Sequence, residues 1–393
     1  MPPDPSTATD VLIAGAGIAG LEAALALKAF AGDRVRVRML DPGDRLAPAP
    51  EATAQPFGRV ARPLALAPLA ERAGAELHHD GLARVLADER VAVTRDGERI
   101  PYDRLVVAVG ARRAPVLPGI LPFGGPEDVA PVRQMLGRIV QGARRGILTH
   151  LAFVAPAGVG WPLAAYELAL QTARHVGRRG VREGVTITLV TAEDAPLAVF
   201  GAESSRAVAA DLTGADVDVR CGSVVREWSW GRLTLIPTGE VRADRVVALP
   251  ALRGPGIPGL PCDRLGFVQA GRDGAVVDAP GVFVVGDAGT FAVKQGGIGC
   301  QQADAVASII ARGLGAPVEP VPFEPVLRGW LWDGDGGRFL RADLPGGRGE
   351  SAGVTSVDAS LWEPEGKVAG RFLSAFLREQ LGSVRLADRA TSA

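Results

Sequence analysis

Lysine is almost missing from this chain. Of its 43 basic residues only Lys28, Lys294 and Lys367 are lysine. We attribute that bias to genome composition rather than to function, and within it each lysine carries some information. A charge excess is missing too: 44 acidic residues leave a formal net charge of -1, so no nucleic-acid partner is expected and there is no acidic tail. Cysteine is scarce and odd in number. Cys221, Cys262 and Cys300 lie far apart with no Cys-x-x-Cys, which fits thiols in a reducing cytoplasm rather than a disulfide framework. The four histidines, His78, His79, His150 and His175, show no metal-ligand spacing, and no metal site is expected. Long apolar runs are lacking as well: the stretch from Val11 to Gly32 is broken by Glu22 and Lys28 and has no basic region before it. No signal peptide and no spanning helix are therefore expected in this stretch.

What the chain has is glycine and apolar periodicity. With 393 residues and 47% hydrophobic content it is expected to be soluble and globular and to form two or three domains. Glycine numbers 51, so a lone Gly-x-Gly-x-x-Gly means little here and its setting must decide. The setting is a full βαβ unit. An apolar strand from Val11 runs into Gly15, Gly17 and Gly20, an apolar helix face follows, and a second strand, Val35 to Leu40, ends at Asp41. Gly15 allows the tight turn, Gly17 lets backbone approach a pyrophosphate beside Ile18, and Gly20 lets the helix pack close to the strand. Asp41, about twenty residues on, stands where an acid meets ribose hydroxyls. The pyrophosphate would rest on the positive end of the helix.

Shifting the sequence by 141 residues lays Ile13-Ala14-Gly15 over Val154-Ala155-Pro156 and Asp103 to Ala108 over Asp244 to Leu249. Each half then reads as a βαβ start, a β-meander with an Asp-Gly or Thr-Gly turn (Asp96-Gly97, Thr238-Gly239) and a closing strand. In that register Gly15 falls on Pro156, Gly17 on Gly158 and Gly20 on Trp161. Two of three glycines are gone. Asp41 meets Thr191, with Glu193 close by. Trp161 is expected to block the usual helix and strand contact, so a pyrophosphate is not expected there in the usual way. Two readings of this second unit stand: a structural Rossmann-like domain, or one in which Trp161 and Tyr166 shape a different substrate surface. Tyr166 shares helix spacing with Leu163 and Leu170, as a core residue would.

A third element follows. The strand Gly281 to Val285 ends in Gly286-Asp287, and Lys294-Gln295-Gly296-Gly297 opens a helix that runs through Ile310. Asp287 is suited to accept from a ribityl chain, and the helix start to stabilise negative charge on a reduced flavin ring. After Pro317 the chain reads as a hairpin, Leu327 to Trp332 and Arg338 to Leu344, with Trp330 and Trp332 on one face. A helix is predicted over Lys367 to Leu381, either as a core or dimer-packing helix or as an interfacial one.

The first fingerprint, the Leu105 to Arg112 strand and turn, and Val285-Gly286-Asp287 together resemble the FAD-dependent pyridine nucleotide-disulfide oxidoreductase superfamily. Pro156 to Ala169 and Val293 to Asp304 resemble its branch of sulfide:quinone oxidoreductases, type II NADH dehydrogenases and uncharacterised bacterial FAD-dependent oxidoreductases. The resemblance implies an α/β fold with two tandem Rossmann-like three-layer domains and a small C-terminal α+β region. The segments expected are an FAD-binding domain in two parts, 1–115 and 251–316, an inserted second domain, 116–250, and a C-terminal region, 317–393. It implies FAD on Gly15, Gly17, Gly20, Asp41, Gly110, Gly286 and Asp287, to which Ile18 and Gln295 are added as neighbours. Departures from the branch bear on activity. No cysteine stands at 156–165 and Cys300 does not match the branch's other cysteine, which argues against a cysteine persulfide route. The altered second fingerprint argues against direct hydride transfer from NAD(P)H.

The expected activity is therefore that of an FAD-dependent oxidoreductase carrying electrons from a small organic or sulfur donor to a quinone or other acceptor. Flavin N5 would carry the step. Lys294 is the candidate tuning residue, Gln302 (or Gln301) a hydrogen-bond partner for flavin or quinone, or else a helix cap, and Cys300 a flavin-side thiol or an inert core residue. An NAD(P)H-dependent reductase with a variant site at Gly158, Gly160 and Glu193, and a non-catalytic flavin-binding partner protein, are the competing readings. A homodimer and peripheral membrane contact are left open.

Overall fold

The computed structural model describes residues 8–47, 49–60, 63–344 and 353–379. Strand β1 (Thr9–Ala14) leads through a short turn into helix α1 (Ile18–Ala31) and back to strand β2 (Val35–Leu40), followed by β3 (Ala75–His78). Side chains alternate: Val11 and Ile13 enter the core beneath α1, while Leu12 and Ala14 enter the core on the opposite face. A strand apolar on both sides is a central strand of a parallel sheet. The opposite face is covered by an antiparallel meander, β4 (Leu82–Leu86), β5 (Val91–Thr94) and β6 (Arg99–Pro101), after which β7 (Arg104–Val107) pairs with β1.

The plan then repeats. Helix α2 (Val129–Ala143), β8 (Thr149–Ala155), α3 (Leu163–Arg178), β9 (Val185–Thr191), α4 (Ala202–Gly214) and β10 (Val217–Arg220) precede a second meander, β11 (Val224–Ser229), β12 (Arg232–Ile236) and β13 (Gly239–Arg242). Strand β14 (Arg245–Ala248) closes the unit. The second sheet runs Leu121–Pro122, β14, β8, β9, β10, all parallel. The chain then returns to the first sheet with β15 (Val282–Val284) and α5 (Gly296–Gly313), giving the order β15, β7, β1, β2, β3. A C-terminal antiparallel sheet of β16 (Val326–Leu331), β17 (Arg338–Asp343) and β18 (Val354–Ser356) puts Leu327, Leu331, Leu340 and Ala342 into the core of the second unit. This is the expected α/β class with two Rossmann-like units.

One small device marks the repeat at atomic detail. Asp103 accepts from the amide of Asp10 at 2.8 Å, and Asp244 accepts from the amide of His150 at 2.8 Å. Each aspartate amide also donates back to the same residue's carbonyl, so the closing strand of each unit is clipped to the first strand in the same way.

Two expectations need correction. Between β1 and α1 lie three residues, Gly15 to Gly17, whereas between β8 and α3 lie seven, Pro156 to Pro162. Trp161 therefore does not occupy the position of Gly20. Counted from the helix start, Ala165 does, and it is buried; a small side chain still serves the close helix and strand contact. The second correction is at the end of the chain. Residues 367–372 are irregular, the helix starts at 373, and its expected continuation past 379 lies outside the described residues.

Candidate functional site

The three glycines of the first turn divide the work. Gly15 has φ +109°, and a Cβ there would lie 2.3 Å from the Ala108 carbonyl oxygen; one at Gly20 would lie 1.9 Å from the Gly15 oxygen. Those two positions are glycine because backbone meets backbone. Gly17 is different: a Cβ there would meet nothing within 4 Å. It is the residue before α1 and faces a cavity of about 460 Å³. An open position at the start of a 14-residue helix, flanked by two packed glycines, is what a pyrophosphate requires.

Asp41 lines the same cavity. Its Oδ2 accepts from the Ala16 amide at 2.7 Å and its Oδ1 from the Gly43 amide at 2.8 Å. Two backbone donors fix the carboxylate, and each oxygen keeps a further lone pair for a ligand. Gly110, Gly286, Asp287, Ile18 and Gln295 line the cavity too. Gly286 has φ +69°, and a Cβ at Gly299 would come within 3.1 Å of its Cα, so the start of α5 is pressed onto the Gly-Asp turn. Gln295 caps α5, accepting from the Ile298 amide at 2.9 Å, and donates to the Arg328 carbonyl at 3.0 Å. The residues present fit FAD along this trough.

Lys294 is buried against the trough, with Nζ 4.0 Å from the centre of the Phe267 ring and a hydrogen bond to the Gly289 carbonyl. Burial brings its ammonium down to about 8, with Asp287 and Asp263 opposing that fall. Asp287 in turn is raised by burial and held back by Lys294. The two form a partly desolvated pair at the strand end.

Three residues named from the sequence lie elsewhere. Gln302 does not line the cavity; its Oε1 accepts from the Gly286 amide at 2.8 Å and so holds the Gly-Asp turn. Cys300 is fully buried away from the cavity, its thiol raised well above the ordinary range by burial and by the nearby Glu22 and Asp304. Tyr166 is also fully buried: its hydroxyl donates to Glu193 at 2.7 Å and accepts from the Leu197 amide at 3.3 Å. It shapes the second unit's core rather than the cavity surface. Glu193, raised by burial, also accepts from Thr191 at 3.0 Å.

Trp161 does line the cavity, edge-on to Phe200 at 5.7 Å. Gly158 and Gly160, both at φ +76°, present carbonyls that accept from the Leu252 amide at 2.9 Å and the Lys294 amide at 3.2 Å. A Cβ at Gly160 would lie 2.6 Å from Lys294 Cγ. The turn that in the first unit exposes a helix start here clasps the FAD-type half of the molecule.

Two functional candidates escaped the sequence reading. Glu167, on α3, is 1% exposed, and Lys367 reaches it across 200 residues with Nζ 2.5 Å from Oε1. Thr53 donates to Glu167 Oε2 at 2.6 Å, and the Trp332 amide to Oε1 at 2.8 Å. Both charged groups line the same cavity as the first fingerprint. Lysine scarcity was the available signal: two of the three lysines line this one cavity. Glu167 offered a weaker one, an acid within an apolar helix segment.

A Rossmann unit with an intact fingerprint, interrupted by a related unit and completed by a Gly-Asp strand end at one shared trough, defines the class of two-domain flavin-dependent oxidoreductases. The chain belongs to the pyridine nucleotide-disulphide oxidoreductase family, whose sequence profile matches residues 9–303. It is thus an FAD-dependent oxidoreductase. No curated protein sequence matches it. Among solved structures, it is similar to the sulfide:quinone oxidoreductase from the hyperthermophilic bacterium Aquifex aeolicus, at 19% identity over 96% of this chain and 92% of that one, with a TM-score of 0.78. The ferredoxin reductase for the CYP199A2 system from Rhodopseudomonas palustris is similar at 20% identity, 85% and 81% coverage and a TM-score of 0.64. NDH2 from Plasmodium falciparum follows at 11% identity, 72% and 64% coverage and a TM-score of 0.58. At such identities the likeness is one of fold. Among the described residues no helix is long and apolar enough to cross a membrane, and no cluster of side chains could hold a metal ion.

Proposed function

We propose that this enzyme takes two electrons from a small organic or sulfur donor and passes them to a quinone or another acceptor, without NAD(P)H as its direct donor. One observation carries the reading: the Pro156 to Pro162 loop is four residues longer than its counterpart and poorer in donors, since Pro156 and Pro162 have no N–H and the Val159 amide donates to the Pro156 carbonyl at 3.3 Å. A pyrophosphate is held by backbone N–H groups, so a loop short of them, with Trp161 lining the trough, makes a poor seat for a second one.

FAD, when bound, supplies a two-electron carrier at N5. The chain's own residues then have distinct tasks. Gly17 and Ile18 leave the helix start open to phosphate, and Asp41 accepts from ribose hydroxyls. Asp287 accepts from a ribityl hydroxyl, and Gln302 keeps the Gly286 amide in place. Lys294 brings a positive charge to the trough while protonated, favouring electron-rich states of whatever lies beside it. Trp161 and Trp330 line the same cavity and give it aromatic surface for a planar apolar substrate. The Glu167 and Lys367 pair adds to the cavity wall an acid and an amine that can hold and hand over a proton to a substrate oxygen or sulfur. None of the three cysteines lines the cavity, so a sulfur donor would react without a protein persulfide.

A second reading has one observation in its favour. A cavity of about 330 Å³ remains beside Gly158, Gly160 and Glu193, where a variant nicotinamide coenzyme site would lie. The visible spectrum of the purified protein tests both. A yellow protein that is bleached anaerobically by a hydroquinone, thiol or sulfide and reoxidised by a quinone supports the proposal; a yellow protein inert to every such pair counts against it. A colourless protein that cannot be loaded with FAD defeats both readings.

A further inference from the structure

The last part of the described chain borders the trough with Lys367 and Val368 and runs on as an irregular strap, residues 367–372, before the helix that begins at 373. Buried acids hold the strap at both ends. At its start, Lys367 meets Glu167 and, at 3.2 Å, Thr53. At its finish stands Glu22 of α1, which has no exposed surface. Its Oε1 accepts from the Phe372 amide at 2.9 Å and its Oε2 from the Leu373 amide at 2.6 Å. Gly370 passes so near that a Cβ there would lie 2.8 Å from Glu22 Oε2 and 2.9 Å from Cys300 Sγ. Ser374 fastens the bend, accepting from the Gly370 amide at 2.7 Å and donating to the Val368 carbonyl at 2.8 Å.

Behind Glu22 lies a second carboxyl. Asp304 of α5 is buried and hydrogen-bonded to Glu22, and its Oδ1 has no hydrogen-bond partner. The charged or titratable groups facing the pair are Arg371 from the strap and the Cys300 thiol from α5, besides the two acids themselves. One partly exposed guanidinium against two buried carboxyls leaves one proton in the pair. Burial, and then the charge of Glu22, push the Asp304 acid up to about 8. Glu22, also raised by burial, is drawn back by the amides it caps.

We propose that Glu22 is a positioning residue for the cavity: backed by a protonated Asp304, it caps the 371–373 turn, which seats Lys367 and Val368 in the cavity wall, and loss of the Asp304 proton releases the strap. The inference does not depend on which donor or acceptor the enzyme uses. Its sign follows from linkage. In the closed strap Asp304 keeps its proton; in the open strap it meets water and ionises in the ordinary carboxyl range. Opening thus gives up one proton and grows about tenfold per pH unit as pH rises to about 8, then levels off.

The test is hydrogen–deuterium exchange on the FAD-loaded full chain, read as protection factors, corrected for intrinsic exchange, in peptides covering 367–379. Wild-type protection is expected to fall about a hundredfold from pH 6 to pH 8 and to stay level from pH 8 to pH 9. Asp304→Asn, whose amide still donates to Glu22 but cannot ionise, should stay protected and flat across that range. Glu22→Gln should be poorly protected at every pH, while β1 amides remain unchanged in all three proteins. A flat wild-type profile between pH 6 and pH 8, an Asp304→Asn variant that keeps the slope, or a Glu22→Gln variant as protected as wild type would each overturn the proposal. Should Glu22→Gln fail to fold, the Asp304→Asn comparison still decides.

Discussion

Between β1 and α1 the chain spends three residues; between β8 and α3 it spends seven. The flanking sheets are alike down to the aspartate clip at the closing strand. In the short loop, glycines bring backbone into backbone contact and leave the helix start bare. In the long loop, glycine carbonyls bond to the neighbouring unit and Trp161 enters the shared trough. On the proposed reading, a fold keeps its core repeat while the turn at the carboxyl end of one strand exchanges a ligand for a protein partner. Function on that reading sits in the turn rather than in the sheet.

The comparison can be broken most severely at Gly15. A Gly15→Val substitution puts a β-branched residue at φ +109° and a Cβ 2.3 Å from the Ala108 oxygen. It should cost more than about 4 kcal/mol and yield colourless, largely unfolded protein by circular dichroism and absorbance. Next comes the charge pair that shares the cavity with the first turn. Lys367→Met leaves Glu167 buried without its cation and should lower stability by about 3 kcal/mol in urea titration, with part of the loss regained in the Glu167→Gln, Lys367→Met double variant.

A third test concerns Lys294, which the long loop clasps. Because burial lowers its ammonium to about 8, a flavin reduction rate that relies on that charge should fall about tenfold per pH unit above pH 8. Lys294→Met should flatten this profile and lower the rate at pH 7; an unchanged profile would remove Lys294 from the chemistry. The mildest test is Gly17→Ala. Nothing stands within 4 Å of the added methyl, so thermal stability should hold while FAD retention, followed by fluorescence on dilution, weakens about tenfold, or roughly 1.4 kcal/mol. Equal retention would mean that phosphate does not approach Gly17.

Much of this organisation is written locally. A strand, its glycine turn, an apolar helix face and an acid about twenty residues on are all short-range patterns, and the trough does gather Gly15, Gly17, Ile18, Asp41, Gly110, Gly286, Asp287, Lys294 and Gln295. The hairpin of the C-terminal sheet was legible for the same reason. What escaped is long-range. Glu167 and Lys367 meet across 200 residues, and Glu22 caps a turn some 350 residues away; no periodicity reports such pairings. The Trp161 register was missed for another reason. A shift of 141 residues aligns the strands, but four extra loop residues move the helix start and leave no mark in the apolar pattern. For Gln302 and Cys300 the sequence left a core or supporting role open, and the structure puts them there: helical residues two turns or less from the Gly-rich start can face the turn behind it or the packed helix rather than the cavity.

The central claim, that the second turn no longer seats a pyridine coenzyme, is tested most directly by anaerobic stopped-flow mixing of the FAD-loaded enzyme with NADH and, separately, NADPH, following the visible flavin band. The account predicts no bleaching on the time scale on which a competent small donor reduces the same sample. Rapid, saturable bleaching by either coenzyme would contradict it.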